Sequence, residues 1–544
     1  MIVGVGGLLV ALHPKIKPLY KYKWVWGAAF SLLLLFLAMQ NMKFHEDRLR
    51  WNFPTEKRMQ VWAQLEDSPV EKNKSILCEM KLLSTPSAQK RILDRRVQVY
   101  FPKDTLISSL LPGEKLLLNM RFTPVGQRNE PQGYLHYLRS NGIVATGYCA
   151  DYAIIGDLEE SSLSLKHKAL RFRQRLADQI NRLSLPQTEK STLAALTFGH
   201  RATLDKEILK DFSTTGVMHI ISVSGFHVAI FCTFISFMLS AFPNTVGFRL
   251  IRFLFTITFL WGFVYVSGLS APAVRAGLML TFFLVGRLIS RRADSYNILA
   301  ASAFLMLVYN PWFLFDAGFQ LSYIAVFFIL YLQPRLNSLL TIRNPLLAAP
   351  RDWTSVTLAA QAGTTPLCLY VFGKFSLVFL FTNLPLAALS TLLIPLTVAW
   401  SLVSVGLGYP VWGQEIIELL CRWMLWIVTS FGRIPGASVS FSIGFWEMLV
   451  SYGSIGFFLY YLKRRTPYAL LVALGCLLIV FVLKVFGSFD MLFSANTPPV
   501  QIKRISENRI RNFTYFLFSI LFLLNFYFIF FNIILFIIVK YKIL

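Results

Sequence analysis

Charged residues are scarce in this sequence, and acidic ones are scarcer than basic ones. Only 15% of the 544 residues are charged, and 28 Asp and Glu stand against 53 Lys and Arg. Hydrophobic residues make up 55% of the chain, more than soluble globular proteins contain. Several apolar runs exceed the roughly 18 residues that span a bilayer. The composition therefore excludes an ordinary soluble enzyme and predicts a polytopic α-helical membrane protein that contacts the lipid bilayer.

Motifs for nucleotides and metals are also missing. The sequence has no Walker A loop, no His-x-x-Glu-His and no Asp-x-Asp pair, and its six cysteines form no Cys-x-x-Cys cluster. These absences argue against a motor and against metal-dependent hydrolysis. We therefore expect no catalytic residues, no metal and no cofactor. The net charge of +25 fits basic cytoplasmic loops, although a protein that handles polyanions would show the same excess.

Shifts in composition divide the chain into five segments. Apolar runs at 1–12 and 24–40 flank a loop with four lysines and no acidic residue, which predicts a hairpin with a cytoplasmic loop. The predicted segments are a transmembrane hairpin at 1–42, an extracytoplasmic β-domain at 43–157, a helical connector at 158–215, a polytopic domain at 216–486 and a divergent tail at 487–544. The basic tail and its Phe- and Ile-rich end have two interpretations, a last membrane helix or a changed reading frame.

Residues 43–157 have the pattern of a small β-barrel or sandwich. Short apolar or alternating runs, separated by turn residues, predict strands at 76–83, 97–101, 115–122 and 144–155. The segment carries 17 Lys and Arg against 13 Asp and Glu, so it lacks a strong electrostatic footprint for nucleic acid. Cys78 and Cys149 both fall in predicted strands. A disulfide between them and two buried free thiols are equally consistent with the sequence.

The connector and the polytopic domain differ in polarity. Lys and Arg alternate with Leu, Phe and Ile over 162–184, which predicts a helix at the membrane surface, with a DNA-contacting helix as a weaker alternative. Residues 413–434 predict an interfacial or partly buried amphipathic helix. Run 376–407 is too long for one simple span, and its two prolines favour two short or broken helices. Spans are predicted at 226–242, 249–268, 271–289, 295–309, 317–333, 353–372, 376–407, 443–462 and 467–486.

Polar residues interrupt the apolar domain first at 216–231. The stretch carries His219, Ser222, Ser224, Gly225 and His227. Ser and Gly weaken a helix interior, so we expect a helix break at Ser222–Gly225. Polar groups at membrane depth are costly unless they face protein or a water-filled cavity. The stretch therefore predicts a polar cavity, with a helix–helix contact through small residues as the simpler alternative.

Two further stretches share this polarity. Ser270 precedes a helix start at Ala271-Pro272, and Arg275 lies one turn inside that apolar helix, where it either serves function or extends to the interface. Gln320 and Ser322 enter another apolar helix, where interhelical hydrogen bonding is the alternative to a functional role, and Asp316 is placed to cap that helix. Two other functions stay open. Ser224 and His227 are spaced for an intramembrane serine hydrolase, and broken helices would also suit a small-solute transporter.

The three stretches, in this order, resemble the ComEC-type competence proteins. Residues 219–227, His-Ile-Ile-Ser-Val-Ser-Gly-Phe-His, are similar to the family's His-x-x-x-x-Ser-Gly-x-His signature. Residues 270–277 resemble its Ser-Ala-Pro-x-x-Arg-Ala segment, and residues 319–323 resemble its Phe-Gln-Leu-Ser segment. Upstream, 129–138 and 142–143 resemble the end of the family's β-domain. The resemblance covers residues 20–485.

The resemblance implies an OB-like extracytoplasmic domain and an inner-membrane channel that passes single-stranded DNA into the cytoplasm. It implies partners: a cytoplasmic motor or strand-binding protein and a periplasmic DNA-binding protein. Many members also carry a C-terminal metallo-β-lactamase-like domain, and residues after 486 show nothing similar, so we expect a short form without nuclease activity. The residues expected to line the channel are His219, Ser222, Ser224, Gly225, His227, Ser270, Arg275, Gln320 and Ser322. The strand-binding candidates on the β-domain are Arg95, Arg96, Tyr100, Phe101, Arg121 and Phe122.

Overall fold

The computed structural model describes most of the chain between residues 23 and 493. The described ranges are 23–51, 53, 58–85, 92–127, 132–156, 163–200, 204–221, 223–241, 245–289, 294–339, 344–407 and 413–493. The predicted span at 1–12, Ser222 and all but the first residues of the predicted tail lie outside them. The chain forms two compact units. The smaller contains the described residues of Met1–Lys43, Thr365–Gly373 and Phe441–Leu544, and the larger contains the rest.

Helix α1 (Lys23–Leu49) leads into a β-domain in the larger unit. Its strands alternate buried and less buried positions, as in Ile76–Ser84, where every second side chain is buried. The elements are β1 (Met59–Leu65), β2 (Val70–Glu71), β3 (Ile76–Ser84), β4 (Ile92–Phe101), α2 (Thr105–Ser108), β5 (Lys115–Met120), β6 (Thr123–Pro124), α3 (Gln132–Ser140), β7 (Ile143–Tyr148) and β8 (Asp151–Gly156). All four predicted strand regions are strands.

The strands form one mixed sheet. Its order is β6-β7-β4-β3-β1-β5-β8, with β2 paired to β3. Every pair is antiparallel except β4 with β7, which run parallel with Tyr100 opposite Tyr148. Within the described residues the hydrogen-bonded path does not close on itself, so the barrel in the prediction is not confirmed. The interior contains Phe101 and Phe122, which are 0% and 1% exposed, so these two strand-binding candidates are wrong.

The disulfide alternative for Cys78 and Cys149 is also wrong. Both are buried free thiols. Cys78 pairs with Val99 on β4, and Cys149 follows β7 on the far side of β4. Two strand spacings separate them, about 9–10 Å, whereas the Cα atoms of a disulfide lie at most about 7 Å apart. Burial raises the pKa of Cys78 to about 12, so the thiol stays protonated.

The basic connector helix packs against the β-domain. Helix α4 (Leu165–Ile180) is followed by α5 (Gln187–Phe198) and α6 (Lys206–Thr214). Arg171 and Arg173 of α4 are each only 7% exposed. Arg173 Nη2 lies 2.8 Å from Asp67 Oδ1 of the β-domain, and Arg171 Nε donates to the Pro112 carbonyl at 2.8 Å. Two basic side chains of this predicted surface helix therefore contact a carboxylate and a carbonyl of this chain, while Arg175 and Arg182 are exposed.

The apolar half of the larger unit is helical. Its elements are α7 (Gly225–Met238), α8 (Val246–Val266), α9 (Ala271–Leu288), α10 (Ser295–Tyr309), a 3-10 helix (Pro311–Phe315), α11 (Ala317–Leu339), α12 (Pro345–Phe372), β9 (Lys374–Ser376), α13 (Phe379–Leu407), α14 (Gln414–Gly432) and β10 (Ser438–Ser440). The end of α12, from Thr365, belongs to the smaller unit. Strands β9 and β10 pair antiparallel. Residues of α4, α5, α6, α7, α8, α9, α13 and α14 share one buried core.

Two helices in this half settle open points of the prediction. Residues 379–407 form one continuous helix that contains Pro385 and Pro395, so the expected interruption is wrong. Proline breaks a helix less readily where neighbouring helices and polar side chains satisfy the freed backbone groups. Helix α14 follows the partly buried alternative, because Ile417 and Met424 are fully buried while Trp426 is 67% exposed.

Five described helices are long and apolar enough to cross a membrane, which fits a polytopic membrane protein. These spans are Gly27–Leu49, Gly247–Val266, Ala271–Leu288, Ala317–Ser338 and Phe379–Leu407. The smaller unit adds a helical pair, α15 (Phe445–Arg464) and α16 (Pro467–Phe493). The Ser454 hydroxyl of α15 donates to the Ala473 carbonyl of α16 at 2.8 Å.

Candidate functional site

The loop between α6 and α7 carries the first polar stretch. It begins at Gly216, whose φ of +76° favours glycine and where a Cβ would lie 2.8 Å from the Ser376 Cβ. His219 is exposed and hydrogen-bonds to the Gly216 backbone and the Asn383 side chain. Asn383 in turn donates from Nδ2 to Thr357 Oγ1 at 2.8 Å. His219 therefore connects this loop to α13 and α12.

Sequence reasoning missed Asn383 and Thr357. A signal was present, because Asn383 is an amide inside the long apolar run 376–407. Such a side chain within a membrane helix normally pairs with another polar group. Its partner could not be named, since Thr357 and His219 are distant from it in sequence.

Ser224 and His227 begin helix α7 rather than interrupt a membrane helix. The predicted break is a loop between two helices, and Gly225 is the first helical residue. His227 is fully buried, and its Nδ1 accepts the Ser224 backbone N–H at 3.0 Å. The imidazole therefore accepts a backbone N–H at the helix start that has no partner within the helix. Because Nδ1 is the acceptor, the imidazole proton is on Nε2. Ser224 Oγ is buried without a hydrogen-bond partner among the described residues.

The first and second polar stretches touch at a glycine. A Cβ added to Gly225 would lie 3.5 Å from the Ala276 Cβ on α9. These two small residues let the start of α7 approach α9 closely, as small residues do between membrane helices. Ser270 precedes α9, and Pro272 occupies its first turn, as the sequence predicted. Ser270 is partly exposed, and its Oγ has no hydrogen-bond partner in the described chain.

Arg275 joins the second stretch to the third. Its side chain is 3% exposed, and Nη2 donates to the Gly318 carbonyl at 3.1 Å. Asp316 lies close by, since a Cβ built on Gly318 would be 3.0 Å from Asp316 Oδ2 and 3.9 Å from Arg275 Nη2. Asp316 Oδ2 also accepts the Phe319 N–H at 2.8 Å, so the predicted cap of α11 is confirmed. Arg275 is therefore paired inside the protein rather than extended to an interface.

Gln320 and Ser322 are half-buried on the first turns of α11. Gln320 Nε2 donates to the Leu314 carbonyl at 2.7 Å, which closes the end of the 3-10 helix before α11. One turn along, the Tyr323 hydroxyl donates to Ser302 Oγ on α10 at 3.2 Å. This pair was missed, although Ser302 is a polar residue within an apolar run. The third stretch thus makes both local and interhelical hydrogen bonds.

The β-domain presents four tyrosines together, here called the tyrosine surface: Tyr100, Tyr134, Tyr137 and Tyr148. Tyr134 donates to Gln98 Oε1 at 2.9 Å, and its hydroxyl lies 3.4 Å from that of Tyr100. The Tyr134 and Tyr137 rings stack at 6.2 Å and 16°. Tyr137 and Tyr148 are 45% and 58% exposed, which leaves ring faces open to a ligand.

Helix α3 carries two of these tyrosines and rests on the segment that leads to Asp316. The His136 ring stacks on Phe315 at 5.6 Å, and Arg139 lies 5.1 Å from the Trp312 ring. Asn310 Nδ2 also donates to the Ser140 carbonyl at 2.9 Å. The helical period places 136, 139 and 140 on one face of α3 and 134 and 137 on another. The tyrosine surface therefore lies next to the third polar stretch.

An ion-pair network joins the β-domain to the connector. Glu66 is nearly buried and contacts Lys166 Nζ at 2.7 Å, Arg96 Nη2 at 3.6 Å and His167 Nε2 at 3.8 Å. Burial alone would raise the Glu66 pKa, but these neighbours together hold it below its ordinary value. Burial lowers the pKa of His167, so the ring is neutral near pH 7. Arg96, proposed for strand binding, is thus partly engaged with Glu66.

In the described chain, no three His, Cys, Asp or Glu side chains come together as metal ligands.

In comparisons with known proteins, one family model matches the part of the chain that contains these stretches. The model of the competence protein family matches residues 196–465, which contain all three polar stretches. ComE operon protein 3 of Bacillus subtilis is 29% identical over 282 residues, covering 50% of this chain and 34% of that protein. Recombination protein 2 of Haemophilus influenzae is 28% identical over 268 residues, covering 47% and 32%.

An uncharacterized protein of Aquifex aeolicus is 28% identical over 299 residues, covering 54% of this chain and 64% of that protein. The chain therefore spans about a third of the length of the first two relatives. No solved structure matches the chain.

Proposed function

Since the chain belongs to the ComEC-type competence protein family, we propose that it is the inner-membrane channel through which single-stranded DNA enters the cytoplasm during DNA uptake. The family membership supports a role in DNA uptake, and the apolar helices fit a multi-pass membrane protein. The direct conduction of a strand, the inner membrane and the extracytoplasmic side of the β-domain are parts of this proposal.

The observation that carries the proposal is the meeting of three polar stretches inside an apolar helical domain. Gly225 touches Ala276, and Arg275 one residue earlier bonds to Gly318, so the starts of α7, α9 and α11 come together. Polar groups at membrane depth are retained where they serve a pathway or bind one another. Among the described polar side chains of the three stretches His219 is exposed, so it is the group we expect a passing strand to meet first.

The tyrosine surface suits the first contact with the strand. Single strands bind where bases stack on aromatic rings beside basic groups, largely without sequence preference. Tyr137 and Tyr148 present exposed rings, and Arg96 lies on the same face of β4 as Tyr100. We extend the proposal to an OB-like barrel, because only Cys149 and Ala150 separate β7 from β8, near the two ends of the sheet path. The short β7–β8 connection would then bring the two ends of the sheet together and close the barrel.

The serine hydrolase is the weaker candidate. A catalytic histidine must accept the serine hydroxyl proton, and a third group must orient it. Here His227 Nδ1 accepts the Ser224 backbone N–H at 3.0 Å, so this nitrogen serves the helix start. We therefore propose a channel without enzymatic activity, which depends on a cytoplasmic motor or strand-binding protein and on a periplasmic DNA-binding protein.

The proposal is tested by import of labelled double-stranded DNA in cells deleted for this chain and complemented with it. We expect deletion to leave DNA outside the inner membrane and to abolish cytoplasmic strand, and complementation to restore it. His219→Ala should lower cytoplasmic strand at unchanged protein level, because it removes the contact with Asn383. His45→Ala, on α1 outside the polar stretches, is the matched control. Normal import in the deleted cells would refute the channel.

A further inference from the structure

A polar cavity lies where the β-domain meets the connector. Its volume is about 220 Å³, far above the roughly 10–15 Å³ that a single water needs. The β-domain contributes Ser68, Ile76 and Leu110 to its wall. The connector contributes Gln174 and Ala177 of α4, Ala194 of α5 and His200, which follows α5. None of these residues belongs to the three polar stretches or to the tyrosine surface.

Three buried polar atoms at this cavity lack a partner. Ser68 Oγ, Gln174 Oε1 and His200 Nδ1 make no hydrogen bond within the described part of the chain, and all three residues line the cavity. A buried polar atom left unsatisfied costs about 1–3 kcal/mol, so such groups normally have a partner. All three belong to lining residues from separate parts of the chain, so the wall of this cavity carries polar side chains with hydrogen-bonding capacity left over within the described residues.

The charges around the cavity argue for a neutral occupant. Burial, followed by the charge of Arg173, lowers the pKa of His200 to about 4, so the imidazole is neutral at pH 7. The lining carries the carboxylates Glu71 and Asp178 and a single ammonium, Lys190, whose Nζ donates to the Asn181 carbonyl. Phosphate binding needs a surplus of positive charge, and this lining has none.

The wall chemistry fits the flat heterocycle of a nucleobase. Enzymes that extrude a base hold it by hydrogen bonds to its edge and by apolar contacts on its faces. Here amides at 174, 181 and 187 and the His200 imidazole offer edge contacts, while Ile76, Leu110, Ala177 and Ala194 add apolar lining. The two alanines leave room that larger side chains would fill. We propose that this cavity binds one nucleobase, either of a free nucleoside or of a single DNA strand.

The site also has a route to the first polar stretch. Gly199, next to His200, has a φ of +73°, and a Cβ there would lie 3.2 Å from the Val223 side chain and 3.8 Å from the Ser267 carbonyl. An occupant that contacts His200 is therefore one residue away from a position packed against the loop before α7 and the turn before α9. The strand as the source of the base rests on the proposed function, whereas the free-nucleoside source does not.

The test uses the purified full chain in lipid nanodiscs and tritiated deoxynucleosides in equilibrium dialysis. Gln174→Leu removes one of the unpaired acceptors, and we expect about fivefold weaker binding, the effect of one buried hydrogen bond. Ser68→Ala is a milder second variant, with a smaller loss in the same direction. Gln179→Leu is the matched control on the same helix α4, outside the cavity lining. Equal thermal unfolding midpoints establish that each variant is folded.

A second arm separates the two sources of the base. A fluorescent dT oligonucleotide is titrated against wild type and against Ala194→Phe, which fills the cavity. Weaker binding of both oligonucleotide and nucleosides assigns the site to a base of the strand. Loss of nucleoside binding alone assigns it to free nucleosides. The proposal is overturned if no nucleoside binds wild type, or if Gln174→Leu and Gln179→Leu bind alike. Failed DNA import with intact nucleoside binding would refute the channel and leave this site standing.

Discussion

Arg275 and Asp316 form the pair whose removal tests how the polar stretches are held together. The Arg275 guanidinium is almost fully buried, and its Nη2 donates to the Gly318 carbonyl at 3.1 Å. Asp316 approaches the same glycine, and the two charged groups are at most about 7 Å apart because both lie within 4 Å of the Cβ position of Gly318. The perturbations are Arg275→Met, which keeps the apolar stem, Asp316→Asn, and the two combined.

The magnitudes follow from these contacts. A hydrogen bond from a charged donor to a carbonyl contributes about 1.5–3 kcal/mol. Two unit charges about 7 Å apart interact by about 2 kcal/mol at an effective dielectric constant of about 20, and the partial exposure of Asp316 reduces this to about 1 kcal/mol. Arg275→Met should therefore lower the free energy of unfolding by about 3 kcal/mol. Asp316→Asn should lower it by about 1 kcal/mol, because the amide oxygen still accepts the Phe319 N–H.

The assay is unfolding of the purified protein in mixed micelles titrated with SDS, followed by tryptophan fluorescence. The double-mutant cycle should give a coupling energy of about 1 kcal/mol between the two positions. Arg287→Met, in the last turn of the same helix, is the control and should change stability little. Coupling below about 0.3 kcal/mol would refute the pairing. Wild-type stability in Arg275→Met would contradict a stabilising role for both contacts of this guanidinium.

Three other predictions test separate parts of the molecule. The free energy of unfolding should fall by about 2 kcal/mol as pH drops from 6.5 to 4 and then level off. The reason is that His200 binds a proton in the unfolded chain over this range but stays neutral where it is buried in the fold. His200→Gln should flatten this pH profile in SDS titrations. Gly225→Ala should be tolerated and Gly225→Leu should lower the unfolding free energy by about 1–3 kcal/mol, since only a methyl group fits against α9. The double variant Tyr137→Ala, Tyr148→Ala should bind a dT oligonucleotide at least about tenfold more weakly, as measured by fluorescence anisotropy. Tyr468→Ala, at an exposed tyrosine outside the β-domain, should not.

Helix positions were predictable because apolar run length and capping residues are local signals. The predicted span 271–289 is α9 at Ala271–Leu288, and 295–309 matches α10 to the residue. Ser270-Ala271-Pro272 marked a helix start, since proline favours the first turn. The strands of the β-domain followed from alternation in the same way, as in β3 at Ile76–Ser84.

The partners of these elements were not predictable, because periodicity shows which face is apolar and not what covers it. Helix α4 has the sequence of a surface-lying helix, yet Asp67 from 106 positions earlier pairs with Arg173 and takes it into the interior. Likewise, the sequence marked Arg275 as costly in an apolar helix but could not supply Gly318 as its acceptor. The sequence predicted which residues need partners, and only the fold shows which partners they have.

These long-range pairings link the β-domain to the polar stretches through α4. Asp67 of the β-domain holds Arg173, and Arg173 Nη1 lies only 2.7 Å from the Cβ position of Gly268, whose φ is +76°. Gly268 belongs to the turn that ends in Ser270 and begins the helix of Arg275. A side chain at 268 would therefore strain the backbone and displace the guanidinium together. Because packed interiors deform little, a shift of Asp67 would reach the start of the Arg275 helix through this turn.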